Sequence, residues 1–284
     1  MTVPAEIRRY TAFTDTPAGG NPAGVVLDAG NLDDREMLAI AADVGYSETA
    51  FLRQRADVRD AFDVRYFSPE AEVPFCGHAT IAAAVALAER EGPAELVFNV
   101  SAGPVPVRTS VDATGAVTAA LTSVGTHVEE AGAELLDAAL TALDWRRSDL
   151  DPGLPPRIAY AGARHLILGA GARDRLARLE YDFELLKTMM LGADLTTVDL
   201  LWRERDDLYH ARNPFPVGGV YEDPATGAAA AAFGGYLRSL QLISPPAQVT
   251  ILQGQDMGRP SLLLVDIPAG DGGVTVTGRA VTIA

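Results

Sequence analysis

The sequence of 284 residues contains one cysteine, Cys76, and one lysine, Lys187. A single cysteine excludes a disulfide bond within the chain and is consistent with a reducing compartment. Pyridoxal phosphate enzymes bind their cofactor through a lysine, and Lys187 lies in a pattern typical of a helix residue that faces solvent. The four histidines are scattered along the chain, and none shows the spacing of metal ligands. We therefore predict that the protein uses neither a cofactor nor a metal.

Long apolar segments and the familiar catalytic motifs are also missing. No apolar run approaches the roughly 20 residues needed to cross a membrane, and no P-loop, dinucleotide-binding glycine loop, nucleophile elbow or zinc-protease motif occurs. Positive charge is scarce, because 23 basic residues oppose 38 acidic ones and the net charge is −15. This charge argues against nucleic acid and anionic membranes as partners. The first ten residues lack a signal-peptide pattern, so we predict a cytoplasmic protein.

What the sequence does contain is a long-period repeat. Arg65 recurs as Arg212, 147 positions later, and in both cases a proline follows four residues after the arginine. Each phrase runs from a strand-like stretch through this turn into a loop of small residues, which opens an Ala-rich helix predicted over 81–90 and 229–240. Two similar lobes would each present a helix N-terminus, whose N–H groups and positive dipole attract a carboxylate. The repeat therefore predicts a site for a small acidic molecule.

The distribution of short strands and apolar helices indicates an α+β fold. The helix over 81–88 is apolar on nearly every side, so we expect it to be buried all round, with strands wrapped about it. We predict an N-terminal lobe over residues 1–121 plus 275–284, a C-terminal lobe over 122–274, and an active-site cleft between them. The segment 128–148 is polar and rich in alanine, and it predicts a helix.

Four side chains near the predicted loops could carry chemistry. Glu48 lies in an otherwise apolar strand, where partial desolvation suits a carboxylate to take and return protons, although a solvated glutamate at a strand end is the alternative. His78 could bond a substrate or merely cap and pack, and Asp223 could be only an N-cap carboxylate. Cys76 could act as a nucleophile or base, since a helix N-terminus lowers a thiol pKa, but an inert buried thiol is the more common case.

Five motifs occur together in this order and carry a family resemblance. They are Gly20-Asn21-Pro22-Ala23, Ser47-Glu48-Thr49-Ala50-Phe51, Pro74-Phe75-Cys76-Gly77-His78-Ala79-Thr80, Glu222-Asp223-Pro224-Ala225-Thr226-Gly227 and Met257-Gly258-Arg259-Pro260-Ser261. Over essentially the whole chain, the sequence resembles the PhzF (phenazine biosynthesis) family within the diaminopimelate-epimerase-like fold. The resemblance implies two pseudo-symmetric lobes, each of strands wrapped around a central buried helix, and usually a homodimer.

The resemblance also implies cofactor-free proton transfer on a small unsaturated amino acid. Glu48 matches the acid/base glutamate of the family, and other polar site positions are matched by Asn21, His78 and Asp223. Two further matches, Gly77 and Gly227, lie in the loops that hold the substrate carboxylate.

The related epimerases use two cysteines as paired bases. Cys76 falls at one of these positions, but Pro224 stands at the other, so a two-thiol racemase mechanism is excluded. The family pattern also has serine where this chain has Ala228, next to the second loop's glycine. Losing one hydrogen bond to a charged group is worth about 1.5–3 kcal/mol, enough to change which substrate fits.

These observations predict a cofactor-independent isomerase that moves a proton within a small unsaturated amino or carboxylic acid. The resemblance suggests a role in secondary metabolism. An amino-acid epimerase or racemase, and a binding protein of the same fold without catalytic activity, are the alternatives that the sequence leaves open.

Overall fold

A computed structural model describes residues 6–58 and 60–284. The start of the predicted N-terminal lobe and half of the segment used to predict the cytoplasm therefore lie outside the described residues. The fold is mixed α/β and rich in strands. The chain forms two compact units, one extending to Thr122 and including Thr277–Ala284, the other spanning Ser123–Val276. Among the described residues, no helix is long and apolar enough to span a membrane.

The described residues of the first unit form two α-helices and eight strands, joined by the end of a ninth. The elements in chain order are β1 (Arg8–Ala12), β2 (Asn21–Val26), α1 (Asp34–Val44), β3 (Glu48–Gln54), β4 (Ala61–Phe67), β5 (Glu72–Val73), α2 (Gly77–Glu91), β6 (Glu95–Val100), β7 (Gly103–Val111) and β8 (Val117–Thr122). β1 pairs antiparallel with β2, which runs parallel to β3, and β3 pairs antiparallel with β4. β4 is parallel to β6, and β6, β7 and β8 follow antiparallel.

Helix α2 is the centre of the first unit. Every residue from His78 to Ala88 is buried, as the apolar pattern predicts, and the helix packs against β1, β2, β3, β7 and β8. Alanine occupies six of these positions, so the helix is thin and strands can approach it closely while alanine keeps its helix propensity high. The helix ends at Gly92, whose positive φ of 95° other residues adopt only with strain.

The second unit contains four helices and the remaining strands. Its elements are β9 (His127–Glu130), α3 (Ala133–Ala142), β10 (Arg157–Tyr160), β11 (Arg164–Gly169), α4 (Arg173–Ala177), α5 (Phe183–Gly192), β12 (Thr197–Arg205), β13 (Leu208–Phe215), β14 (Val220–Asp223), α6 (Gly227–Ser239), β15 (Ala247–Gln253) and β16 (Ser261–Ile267). The last strand, β17 (Thr275–Thr282), begins in this unit. Its residues from Thr277 onward belong to the first unit, where Ala280, Val281 and Thr282 pair antiparallel with β1.

The strands of the second unit support helices on opposite sides. An apolar cluster joins α3 and α5 to alternate residues of β11 and β12, including Leu166, Leu168, Val198 and Leu200. Helix α6 packs against β9, β10, β11 and β16, and it is buried throughout 229–237, as predicted. Because successive side chains of a strand point to opposite faces of the sheet, the residues between those of the cluster point to the other face.

Two glycines allow α6 to pack closely against neighbouring residues of the second unit. A Cβ on Gly234 would lie 2.8 Å from Val274 and 3.0 Å from Val265, and a Cβ on Gly235 would lie 2.5 Å from Thr126. Side chains at these positions would therefore push the helix away from the strands. The glycines are kept for close packing, although glycine costs about 1 kcal/mol in a helix relative to alanine.

The segment predicted as a helix over 128–148 divides into two elements. His127–Glu130 form β9, which pairs antiparallel with β10, and only the part from Ala133 onward is helical. Glu130 bonds Arg157 of the partner strand at 2.9 Å, and Glu129 bonds Arg164 at 3.0 Å. Pairing with β10 therefore makes residues 127–130 a strand, although their composition favours a helix.

A buried polar network crosses the sheet of the second unit. The Thr197 hydroxyl donates to Asn213 Oδ1 at 2.6 Å and lies 2.8 Å from His165 Nδ1, while Asn213 Nδ2 donates to Asp199 Oδ1 at 2.9 Å. Because the hydroxyl already donates to Asn213, it accepts from a protonated Nδ1 of His165. Burial lowers the pKa of His165 to about 3 and raises the pKa of Asp199 to about 7. The network is therefore built from an uncharged imidazole and a carboxyl group that resists ionisation.

Replacing Asp199 by asparagine should change how stability depends on pH. The unfolded carboxyl has a pKa near 3.9 and the folded one about 7, so its stabilising contribution is full below about pH 4 and is lost as the pH rises through 7. The contribution of His165 to stability changes with pH in the opposite direction, but this residue is present in both the natural protein and the variant, so it does not affect the comparison. We expect the free energy of unfolding of Asp199→Asn, relative to that of the natural protein, to rise by at least about 1 kcal/mol between pH 5 and pH 8. Urea unfolding provides the measurement. A difference that does not change with pH would contradict the assignment.

Candidate functional site

Four of the sequence-predicted residues meet in the first unit. Asn21 is the first residue of β2, and Glu48 is the first of β3, where it lies next to Ala23 in the parallel pairing of the two strands. Gly77 and His78 open helix α2 directly after Cys76, its N-cap residue. The starts of two neighbouring strands and of the central helix thus lie together, and we call Asn21, Glu48, Cys76 and His78 the first-unit cluster.

The imidazole of His78 is the centre of this cluster. Its Nδ1 lies 3.1 Å from Asn21 Nδ2 and 3.3 Å from Cys76 Sγ, and its Nε2 lies 3.4 Å from Glu48 Oε2. The Ser47 hydroxyl is also 3.4 Å from Nε2. The His78 side chain is only 7% exposed, whereas the Glu48 side chain is 17% exposed. The glutamate is therefore the member of the pair that a ligand could reach more easily.

These contacts define the protonation of His78. The amide nitrogen of Asn21 can only donate, so in this orientation of the amide Nδ1 is the acceptor and a neutral ring carries its proton on Nε2. Nε2 then lies within hydrogen-bonding distance of the Ser47 hydroxyl, at 3.4 Å, and faces Glu48 Oε2 at the same distance. The imidazole is thereby held next to the carboxylate.

Two buried hydroxyl groups hold the first turn of α2 in place. The Thr80 hydroxyl donates to the Cys76 carbonyl at 2.7 Å and lies 2.6 Å from the hydroxyl of Tyr66, which is fully buried. The Cys76 thiol points toward Glu48 Oε2 at 3.5 Å and toward His78, so it does not cap the helix. Thr80 and Tyr66 thereby hold the backbone of this turn, and the Cys76 thiol contacts Glu48 and His78.

Linear spacing gave no indication of this grouping. A carboxylate oxygen of Glu48, the sulfur of Cys76 and a ring nitrogen of His78 lie within 4.8 Å of one another. Three side chains that commonly bind metals therefore converge, whereas the sequence shows only His78 two residues from Cys76 and Glu48 far upstream. The prediction that the protein uses no metal stays a prediction.

The remaining predicted residues lie in the second unit. Asp223 ends β14 opposite Asn213 of β13, so it adjoins the buried polar network. Its Oδ2 accepts the Thr226 hydroxyl at 2.6 Å. Gly227 is the first residue of α6 and is buried, and Ala228 follows it, half-buried. Asp223 thus ends the strand that precedes the turn into α6, whose N-cap residue is Thr226.

A residue that the sequence analysis missed holds this turn. Gln253, at the end of β15 and 1% exposed, donates to the Asp223 carbonyl at 2.7 Å and accepts the Thr226 N–H at 3.1 Å. The next residue, Gly254, has a φ of 75°, and a Cβ there would lie 2.2 Å from the Arg259 carbonyl. The only sequence signal was that this segment directly precedes the Met257–Ser261 motif. In the first unit, Ser47 was also missed, although it adjoins Glu48.

The repeated arginines prove to be structural. Arg65 of β4 forms a two-pronged pair with Glu72 of β5 at 2.7 and 2.6 Å, and Arg212 of β13 pairs in the same way with Glu222 of β14. The first pair is about one-third exposed, with side-chain exposures of 35% and 38%, and the second is buried at 8% and 3%. Each pair fastens the short strand that leads into a central helix, and Glu222 directly precedes Asp223.

Comparison with known proteins identifies relatives along nearly the full chain. A family model described as phenazine biosynthesis-like protein matches residues 10–284. An uncharacterized isomerase of Clostridium acetobutylicum is 31% identical, over 92% of this chain and 91% of its own. The trans-2,3-dihydro-3-hydroxyanthranilate isomerase of Pseudomonas chlororaphis is 30% identical, over 89% of this chain and 86% of its own.

The fold agrees with a solved structure as well. The crystal structure of a PhzF-family phenazine biosynthesis protein from Bacillus anthracis superposes with a TM-score of 0.86 at 26% identity, covering 99% of this chain and 97% of that one. Agreement over the whole length means that both units have counterparts in that protein.

The two arginine pairs offer a matched test of how the turn before α6 is held. Glu222→Ala would leave the Arg212 guanidinium buried without its carboxylate, which costs about 3–5 kcal/mol. Glu72→Ala removes the corresponding exposed pair and should cost about 1 kcal/mol or less. We expect this difference in the free energy of unfolding, measured by urea denaturation. Equal losses in the two variants would show that burial does not set the importance of the second pair.

Proposed function

The chain belongs to the phenazine biosynthesis-like family of isomerases, and from this membership we propose that it moves a proton within a small unsaturated amino or carboxylic acid, without a cofactor. The observation that supports this proposal most directly is the position of Glu48. Its carboxylate is partly exposed, lies 3.4 Å from a nearly buried imidazole and belongs to the first residue of a strand whose next four residues are buried. A carboxylate held in this way is suited to general acid–base catalysis.

In the proposed reaction Glu48 first removes a proton from a carbon beside the substrate's double bond. The electron pair of the broken C–H bond forms a new double bond, and the original double bond shifts. Glu48 then returns the proton to the far carbon, so that bonds and electrons balance and no redox partner is needed. We propose that His78 helps to orient this carboxylate, because its Nε2 lies 3.4 Å from Glu48 Oε2.

We propose that backbone N–H groups bind the carboxylate of the substrate. The first turns of α2 and α6 begin with Gly77 and Gly227, which add no side chain between the helix dipole and a ligand. Asp223 is proposed as a second polar contact, held in place by Thr226 and Gln253. With its net charge of −15, the protein repels anions at long range, so such local donors have to supply the binding.

The substrate is proposed to differ from that of the Pseudomonas chlororaphis relative, which is named for trans-2,3-dihydro-3-hydroxyanthranilate. Ala228 supplies a methyl group where the family pattern places a serine hydroxyl. A substrate with one polar group fewer, or with an apolar group at that place, would fit without leaving a polar atom unpaired. We further propose two pseudo-symmetric lobes, a homodimer, a cytoplasmic location and a step in secondary metabolism, all on the family resemblance.

The role of Glu48 can be tested with a variant that keeps its shape. Glu48→Gln cannot accept a proton, so turnover of the substrate should fall by about 10²–10⁴-fold, while circular dichroism and the unfolding midpoint stay unchanged. Glu70→Gln is the matched control, because Glu70 is an exposed loop residue whose side chain is not part of the cluster. Near-full turnover in a folded Glu48→Gln protein would overturn the mechanism.

The pattern of deuterium uptake in heavy water separates the proposed isomerase from the alternatives. Because Glu48 is partly exposed, the proton that it carries exchanges with solvent before it is returned. An isomerase therefore places solvent deuterium at the carbon that receives the proton, whereas an epimerase exchanges it at one stereocentre with inversion. A binding protein without catalytic activity catalyses no exchange. Deuterium at the inverted stereocentre, or no exchange with any candidate substrate that binds, would contradict the proposal.

A second variant tests whether the Cys76 thiol acts as a base. Because Pro224 stands where a partner thiol would be needed, Cys76→Ser should retain measurable turnover, within about tenfold of the natural protein, which is less than the loss of an acid–base group causes. Steady-state kinetics on the folded variant provides the measurement. Complete loss of activity with normal folding would restore a mechanism in which the thiol is a base.

A further inference from the structure

We propose that the first unit binds a small aliphatic α-amino acid in a cavity at the C-terminal end of α2, away from the first-unit cluster. The cavity has a volume of about 460 Å³, and small-molecule sites commonly measure roughly 300–1,000 Å³. It is lined by the end of α2, the loop between β1 and β2, the start of β8 and part of β17, which all belong to the first unit. Three charged side chains line it, Asp15, Glu89 and Arg279.

The charged groups of the cavity do not neutralise one another. Among the described residues, Arg279 forms no ion pair with Asp15 or Glu89. The Tyr10 hydroxyl contacts Glu89, and β1 pairs with β17 so that Tyr10 lies opposite Thr282. Thr282 is three residues after Arg279, which corresponds to roughly 10 Å along a strand. Glu89 and Arg279 therefore offer separate negative and positive groups to a ligand that carries both charges.

Glu89 is the residue that would bind the ammonium group. Tyr10 is 1% exposed and donates its hydroxyl to Glu89 Oε2 at 2.6 Å. Burial, together with this bond to a carboxylate, raises the pKa of Tyr10, so the phenol stays protonated and continues to donate. The bond holds one carboxylate oxygen, and no described residue bonds the other, Oε1. The C-terminal end of a helix also favours a cation, and Asp15 adds a second, exposed carboxylate.

Arg279 is the residue that would bind the carboxylate of the ligand. Its Nη2 pairs with Asp112 and donates to the Thr114 hydroxyl at 3.1 Å, which holds the guanidinium against the turn between β7 and β8. Within the described part of the chain, Nη1 and Nε have no bond. Because a guanidinium carries five N–H donors and stays charged, these nitrogens can serve a carboxylate while the pair with Asp112 is kept.

The other side chains of the cavity are small and apolar. They are Ala116, Val117, Ala280 and Val281, from the start of β8 and from β17. Such a lining gains free energy by removing an aliphatic group from water, and it offers no side-chain partner to a further polar group. The ligand should therefore carry its two charges on one end and an aliphatic body on the other.

L-leucine is the probe, since it has both charges and an aliphatic body. Its analogue 3-methylbutylamine lacks the carboxylate, and 4-methylpentanoate lacks the ammonium group. We expect titration calorimetry to show that the natural protein binds leucine in this cavity, and that each analogue binds about 10–100-fold more weakly, because it loses a hydrogen bond between charged groups. The acid should be the weaker analogue, because Asp15, Glu89 and the helix C-terminus oppose an anion.

Variants assign the binding to the two charged ends. Glu89→Gln keeps the shape of the side chain and an acceptor for Tyr10 but loses the charge, so it should bind leucine about 10–100-fold more weakly. Arg279→Lys keeps a charge beside Asp112 but removes the guanidinium, so it should weaken leucine and leave 3-methylbutylamine unchanged. Circular dichroism and the unfolding midpoint without ligand show that each variant is folded.

Glu95→Gln is the matched control, because Glu95 is an exposed carboxylate at the start of β6 and does not line the cavity. Glu48→Gln should also leave leucine binding unchanged, since Glu48 lies near the opposite end of α2. The proposal is overturned if leucine does not bind or if 3-methylbutylamine binds as tightly as leucine. It is equally overturned if Glu48→Gln removes the binding while Glu89→Gln keeps it, which would assign leucine to the first-unit cluster. None of these readouts depends on the proposed reaction.

Discussion

The parallel pairing of β2 with β3 is the contact on which the rest of the first unit depends. It places Ala23 beside Glu48 and so aligns the beginnings of the two strands. Asn21 and Glu48 are thereby fixed near the start of α2, and His78 contacts both of them. A shift of the pairing by one residue would send the Glu48 side chain to the opposite face of the sheet. Backbone pairing thus determines which side chains meet in the cluster, and side-chain hydrogen bonds then hold them in place.

The same arrangement connects chemistry with packing. Helix α2 is buried by strands on many sides and carries mostly alanine, so it acts as a rigid support whose first turn cannot easily move. Tyr66 and Thr80 hold that turn from the interior. In the second unit, Gln253 and the buried Arg212–Glu222 pair hold the turn before α6. Side chains at both helix entries are therefore preorganised by groups that would not themselves touch a ligand.

The helices and the candidate residues near them could be predicted from the sequence, because each is signalled within a short stretch. The apolar alanine runs predicted both buried helices, and Glu48 was suggested by its apolar neighbours. Contacts between distant segments could not be predicted in this way. Cys76 and Glu48 are 28 residues apart, and His165, Thr197 and Asn213 meet only because three strands are adjacent. The composition of the β9 segment predicts a helix, and this prediction is wrong because composition carries no information about the partner strand β10.

The glycines at 234 and 235 have a consequence for attempts to make the protein more heat-resistant. Exchanging helical glycine for alanine is a standard route to higher stability, since alanine restricts the unfolded chain and favours the helix. In α6 this exchange would press a methyl group against Val274 or Thr126. Stabilisation by helix propensity would therefore have to be sought on exposed helices such as α1, while the interior helices tolerate little change in volume.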